Sequence, residues 1–378
     1  MAQKGHRVTV LTSLAITGRG WVDPIWGTYA SKREEIINGV RVKRLPTRWP
    51  ITAFMHISRK VIGGLPSKPL RHFVSLLSAG PYLSHLKEEL RAERYDVVHV
   101  TPLPFAIVWQ VQRACRALKK PYICSPLIHF EDPRYDNPFL WKALQDAAGV
   151  IACSNYEREK IEERGILHSK IDMIPMGIDT GKWKDGGGEG FRRRYGLQGK
   201  KIILFAGTKG YNKGAIDLLH AAEELSRRRQ DWILVAIGLP TKEWKTGKQI
   251  LPESHLLDPG YVSEEEKREV FAACDLFVMP SRHDSFGIVY LEAWQCGRPV
   301  IGARVGAIPE VIEDGEDGLL VEFGNVRQLA VAIDDLLSHP DRCREMGERG
   351  RKKVLERFDW QKNVEKMEKV YRGARAAW

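Results

Sequence analysis

The sequence predicts an α/β protein built from two doubly wound domains in tandem. Three observations predict it. The chain has 378 residues, room for two domains at about 100–200 residues each. Hydrophobic residues make up 43% and charged residues 28%, which is a globular composition. Strand and helix signals alternate along the chain and pause once, at a turn-rich stretch near residues 175–190. Such alternation builds βαβ units around a parallel sheet.

In chain order, residues 8–11 form a short apolar, β-branched run and residues 40–45 alternate, so both read as strands. Residues 76–90 read as a helix and 96–100 as a buried strand. Helix 105–117, strand 122–128, helix 139–148 and strand 150–153 follow. The stretch Pro175-Met176-Gly177-Ile178-Asp179 and the glycines at 186–188 suit a linker. The alternation then restarts with strand 201–205, helix 215–229 and strand 232–237. Strand 276–279, helix 288–296 and strand 299–301 complete it. Open sheets of this type take ligands beyond the carboxyl ends of their strands, so a site is expected where two such domains face each other.

Several classes are excluded. No apolar run approaches the roughly 18 residues of a membrane-spanning helix. Residues 1–6 are polar and 8–11 are too short an apolar run for a secretory signal. The six cysteines form no CxxC pair, which fits reduced thiols in a cytoplasmic protein. Only 6 Asn and 10 Gln stand against 59 Lys and Arg, a bias that suits a thermostable protein.

The charge is uneven. Residues 1–87 hold 14 Lys/Arg against 3 Asp/Glu, and the remainder of the chain balances, so the whole +11 lies in the first quarter. Within it, Arg41, Lys43, Arg44, Arg48 and Trp49 mix basic and aromatic side chains. That mix suits an anionic membrane surface or an amphiphilic acceptor, and a peripheral place at the inner face of the cell membrane. A solvated basic face is the plain alternative. No nucleic-acid recognition motif accompanies the charge.

Two segments carry phosphate chemistry. Gly207-Thr208-Lys209-Gly210-Tyr211-Asn212-Lys213-Gly214 follows a strand and opens a helix, and two lysines on a glycine-rich loop suit a diphosphate. It lacks the spacing of a Walker A loop. Ser281-Arg282-His283-Asp284-Ser285-Phe286-Gly287-Ile288 does the same after the strand at 276–279. Asp284 and Ser285 lie where an N-cap belongs, and free N–H groups at a helix start favour anions. Glu292 follows Asp284 by eight residues, so on one helix both could face one side.

Together these segments resemble the GT-B glycosyltransferases, specifically the retaining family 4, over roughly residues 1–372. Asp96-Val97-Val98-His99, Ile174 to Asp179, Gly207 to Gly214, Ser281 to Glu292 with Pro299-Val300, and Asp317 to Val321 match its motifs in order. The resemblance implies an N-terminal acceptor-binding domain over 1–178, completed by a helix at 358–378. It implies a nucleotide-sugar domain over 179–357. It implies a metal-independent hexosyltransferase without a resident cofactor, whose donor is a nucleotide-diphosphate-sugar. Asp284 and His129 are then expected at the transferred sugar, and Glu292 at the donor ribose. Gly207, Thr208, Lys209, Lys213, Ser285, Phe286, Gly287 and Ile288 are expected to bind the donor, with Lys213 stabilising the leaving diphosphate as a metal would.

Three departures accompany the match. Asp284 stands where the family has Glu. Thr208 stands at its diphosphate Arg, with Lys209 beside it as a substitute that lacks the bidentate fork. The family's first strand and Gly-Gly loop have no counterpart in this sequence, so either the start is truncated or the first domain is built without them, and a shortened start is the expectation. These departures motivate an alternative, a non-catalytic sugar- or lipid-binding subunit. A glycosyltransferase with a soluble acceptor is another, and an epimerase on the same fold a third.

Overall fold

The computed structural model describes residues 1–16, 27–47, 67–183 and 187–376. These divide into two compact units, residues 1–174 with 364–378, and residues 175–363.

Among the described residues, the first unit holds two sheets. One contains β1 (Thr9–Ser13), β2 (Glu34–Ile37) and β3 (Val40–Leu45) in the order β1-β3-β2, with β1 parallel and β2 antiparallel to β3. Asn38 and Gly39 both take positive φ, 51° and 78°, the tight hairpin turn that joins β2 to β3. The other contains β4 (Val98–Val100), β5 (Tyr122–Cys124), β6 (Gly149–Ala152) and β7 (Ile171–Met173), all parallel and in sequence order.

Its helices are α1 (Lys68–Ser78), α2 (Leu86–Ala92), α3 (Ala106–Leu118), α4 (Pro138–Asp146) and α5 (Asn155–Glu162). The helix expected over 76–90 is therefore two. Gly80 has φ 40° and Pro81 offers no N–H, so the chain breaks between them and α2 restarts at Leu86. The strand expected over 122–128 stops at Cys124, because Pro126 cannot donate and Leu127 has φ 52°.

The second unit is one six-stranded parallel sheet. Its strands are β8 (Lys201–Ala206), β9 (Trp232–Ile237), β10 (Leu256–Gly260), β11 (Leu276–Met279), β12 (Val300–Ala303) and β13 (Gly318–Val321). The order is β10-β9-β8-β11-β12-β13. β9, β11 and β12 are buried along their whole length, as expected of strands covered on both faces. Around them lie α6 (Gly188–Arg194), α7 (Ala215–Ser226), α8 (Lys242–Gly247), α9 (Glu264–Ala273), α10 (Ile288–Gln295), α11 (Ile308–Val311), α12 (Val326–Ser338) and α13 (Pro340–Arg357).

The chain winds one way from β8 through β10 and the other way from β11 through β13. The winding reverses between β8 and β11, and a crevice opens at the carboxyl ends of strands at such a switch point. The last helix, α14 (Trp360–Ala376), runs from one unit's residues into the other's. Its end docks on the first unit, where Tyr371 lies 2.6 Å from His99 Nδ1 and Ala374 packs with Ile123 and Ile151. Burial holds the His99 imidazole neutral, its pKa lowered to about 4.

Candidate functional site

The loops after β8 and β11 lie side by side because those strands pair, Leu276 opposite Ile203. One glycine permits the close approach, and a second shapes the start of α10. Gly214 has φ 70°, and a Cβ there would sit 2.1 Å from Pro280 O. Gly287 has φ 84°, and a Cβ there would meet the Tyr290 ring at 2.4 Å. Arg282 N–H donates to Asn212 O at 2.9 Å, and the Ser281 hydroxyl donates to the same carbonyl at 3.2 Å. The two segments are thereby one platform.

On that platform Lys213 Nζ donates to Asp284 Oδ2 at 2.7 Å. Thr208 is exposed at its edge. The Arg282 guanidinium lies 5.5 Å from the centre of the Tyr211 ring, which is itself set edge-on to Phe323. Asp284 does not cap the helix. Gly287 is the N-cap of α10, without a side chain to contribute, and Asp284 Oδ1 instead accepts from Phe286 N–H at 3.4 Å. Phe286 is buried against Phe358, and Ser285 and Ile288 are half-buried beside it. The first N–H groups of α10 have no acceptor within the helix.

Lys209 is a correction. Its side chain is fully buried, 0% exposed, under the sheet's edge rather than on the loop's surface. Its ammonium is bound by Asp258, donates to Ala236 O at 3.3 Å and lies 5.5 Å from the Trp244 ring centre. Its ammonium is thus turned into the fold and not onto the platform that Lys213 shares with Asp284. Burial pushes the Asp258 carboxyl up, but donation from Lys209, Trp244 and Lys248 outweighs it and holds the pKa down at about 2.

Glu292 sits on α10, whereas Asp284 lies before that helix, so the two do not share a helical face. Glu292 is 7% exposed. Its Oε1 accepts from Lys267 Nζ at 2.6 Å, while Oε2 is buried and meets no hydrogen-bond partner. Burial raises its pKa, and Lys267 offsets that in part. An orphaned carboxylate oxygen is costly unless something else bonds to it.

His129 belongs to the first unit, on the loop after β5. It is half-buried and edge-on to Tyr135, ring centres 5.7 Å apart. Sequence reasoning missed what holds that loop. Glu157, on α5 and 2% exposed, accepts from Ile128 N–H at 2.7 Å and from Cys153 N–H at 2.8 Å. Burial raises its pKa despite those bonds. A Ser154-x-x-Glu157 capping pattern marks Glu157 locally, though not its reach to Ile128 29 residues away, while no local pattern marks Lys267, whose partner Glu292 lies 25 residues on. Among the described residues, no three His, Cys, Asp or Glu side chains group as a metal-ligand set.

Residues 189–353 match the family described as Glycosyl transferases group 1, and residues 1–182 match Glycosyltransferase Family 4. The chain belongs to the family-4 glycosyltransferases. It is 27% identical over 325 residues to spore coat protein SA of Bacillus subtilis, covering 79% of this chain and 84% of that one. It is 29% identical over 245 residues to the GDP-mannose-dependent alpha-(1-6)-phosphatidylinositol monomannoside mannosyltransferase of Mycolicibacterium smegmatis. That match covers 61% of this chain and 64% of the relative's length. In fold it resembles sucrose-phosphate synthase from Thermosynechococcus elongatus, TM-score 0.74 at 20% identity, over 100% of this chain and 91% of that one. The fold is the GT-B fold, two Rossmann-like domains.

Three of the basic residues singled out in this glycosyltransferase's first quarter, Arg41, Lys43 and Arg44, are paired. Arg41 bonds to Glu34 and, at 2.7 Å, to Glu93. Lys43 meets Glu93 at 2.7 Å and Glu89 at 3.1 Å, and Arg44 meets Glu35 at 2.5 Å. Arg48 and Trp49 lie outside the described residues. Among the described residues no helix is long and apolar enough to cross a membrane.

Proposed function

We propose that this glycosyltransferase is a retaining hexosyltransferase that binds its nucleotide-sugar on the loops after β8 and β11. The observation that carries the reading is the Lys213–Asp284 pair at the switch point of the second unit's sheet. A lysine ammonium has three donors, so Lys213 can keep Asp284 and still donate to a diphosphate. In transfer the bond from the sugar's anomeric carbon to the diphosphate breaks, and negative charge gathers on the leaving phosphate. Lys213 and the first N–H groups of α10 meet that charge, a role a metal ion fills elsewhere. Asp284 faces the sugar, Glu292 accepts from ribose hydroxyls, and the acceptor hydroxyl attacks from the face the diphosphate leaves, its oxygen bonding to the anomeric carbon while its proton passes to the departing phosphate oxygen. His129 is assigned to the transferred sugar from the acceptor-binding half.

The acceptor is proposed to be a lipid-linked or amphiphilic glycan precursor, met peripherally at a membrane. The net +11 of the first quarter supports this, and the phosphatidylinositol-mannoside acceptor in the mannosyltransferase's name is consistent with it. Because Arg41, Lys43 and Arg44 are offset by glutamates, other basic residues of that quarter must supply the attraction. Calorimetry with UDP, GDP and ADP tests the donor site. One of them binds the wild type, and Lys213→Ala weakens that binding sharply. Unchanged affinity in the variant removes the site.

A further inference from the structure

Glu292 is held by a residue that no motif contains. Lys267 projects from α9 and donates to Glu292 Oε1 at 2.6 Å, leaving Oε2 buried and unpartnered. The Lys267 ammonium also lies 5.7 Å from the centre of the Trp183 ring, which is braced edge-on by Phe271. One oxygen is thus fixed and the other is a buried acceptor without a partner, which a hydroxyl donor would satisfy. Fixing one oxygen also removes the rotational freedom of a long side chain before the ligand arrives, which lowers the entropic cost of binding.

We propose that Lys267 is a positioning residue for the donor ribose, keeping Glu292 ionised and aiming its Oε2 at a ribose hydroxyl. This rests on the reading that Glu292 binds the ribose. A carboxylate accepts a hydroxyl's hydrogen bond more strongly than a neutral carboxyl does. Glu292 is buried, so without a cation its charged form is disfavoured. The other titratable groups nearby do not replace Lys267. Glu264 on the same helix is negative and raises the Glu292 pKa further, and Cys296 beyond the end of α10 is an uncharged thiol, its pKa pushed up to about 11 by burial. On α13, Arg351 pairs with Glu348 at 3.7 Å and Lys353 with Asp317. Before α6, Lys182 pairs with Asp179 at 3.4 Å.

The experiment measures the dissociation constant of the nucleoside diphosphate that binds, among UDP, GDP and ADP, across pH for wild type and variants. The ratio of variant to wild type is read, so the ligand's own phosphate titration cancels. With Lys267→Met the ratio rises, by about tenfold or more, as pH is lowered, because Glu292 takes up a proton that Lys267 had excluded. Lys267→Arg restores a flat ratio. Glu292→Gln gives weak, pH-independent binding, and adding Lys267→Met to it produces no further pH dependence.

A flat Lys267→Met ratio alongside a weakened Glu292→Gln overturns the role of Lys267 and leaves the ribose reading standing. Full affinity in Glu292→Gln removes the ribose reading itself. Should Lys267→Met fail to fold, Lys267→Gln makes the same comparison. Isotope-edited infrared spectroscopy on the wild type then reads Glu292 directly, and a protonated carboxyl at about pH 6 overturns the proposal.

Discussion

Lys213 Nζ donates to Asp284 Oδ2 across 2.7 Å, joining two loops that stand 71 residues apart in sequence. The Lys213 side chain is 31% exposed and that of Asp284 12%, so the pair is partly screened by solvent and its own worth to stability is modest, about 1 kcal/mol. Its worth to binding is larger. Lys213→Ala is expected to weaken the nucleoside diphosphate by about tenfold to a hundredfold, the loss of a charged hydrogen bond of about 1.5–3 kcal/mol. Asp284→Asn is expected to leave diphosphate affinity intact and lower sugar transfer. Calorimetry and turnover, measured on both variants, separate the two roles.

Lys209 is expected to behave oppositely. Lys209→Met leaves Asp258 partly without its cation in a buried place, at a cost of about 3–5 kcal/mol of stability. Diphosphate affinity of the folded fraction does not change. The pH dependence has a definite sign. Asp258 has its pKa depressed to about 2 in the folded state, below the ordinary carboxyl value of about 3.9. The stability it contributes is present above about pH 4 and is lost as pH falls toward about 2. Denaturant unfolding at stepped pH shows that acid limb in the wild type and a flatter one in Lys209→Met. Identical limbs contradict the assignment.

Glu157 ties down the loop that carries His129. Glu157→Ala leaves two buried N–H groups unpaired, each costing about 1–3 kcal/mol. Transfer is expected to fall in the soluble variant while donor affinity holds, because the donor loops belong to the other unit. A variant with unchanged turnover shows that the loop does not need this anchor.

Membrane association is expected to survive loss of the paired cations. Wild-type protein should float with anionic vesicles and not with neutral ones, more weakly as salt rises. Arg41→Gln, Lys43→Gln and Arg44→Gln together should leave flotation unchanged and lower the unfolding midpoint, because their glutamate partners lose their counter-charges. Flotation lost in this triple variant places these residues against lipid instead.

The second unit was largely legible because its strands are unbroken apolar runs with glycine-rich turns. Strand 232–237 and strand 276–279 stand as read. The first unit was less so. Helix 76–90 failed on Gly80 and Pro81, whose breaking effect the surrounding leucine periodicity masked. Strand β2 carries two glutamates and an exposed Ile36, so only its Asn38-Gly39 turn advertises it. At the site, loop composition could not say which lysine faces outward. That choice is made by Asp258, 49 residues from Lys209, and by Asp284 for Lys213. The Lys267–Glu292 pair was likewise invisible, since it depends on how α9 and α10 lie together.

The most direct measurement incubates the protein with UDP-glucose, GDP-mannose and ADP-glucose and follows release of the nucleoside diphosphate. One donor is expected to be consumed, its diphosphate released and the sugar's anomeric configuration kept in the product. Lys213→Ala should abolish that release. Tight binding of a donor with no release, even with lipid-linked acceptors supplied, contradicts catalysis and leaves a sugar-binding relative of the family in its place.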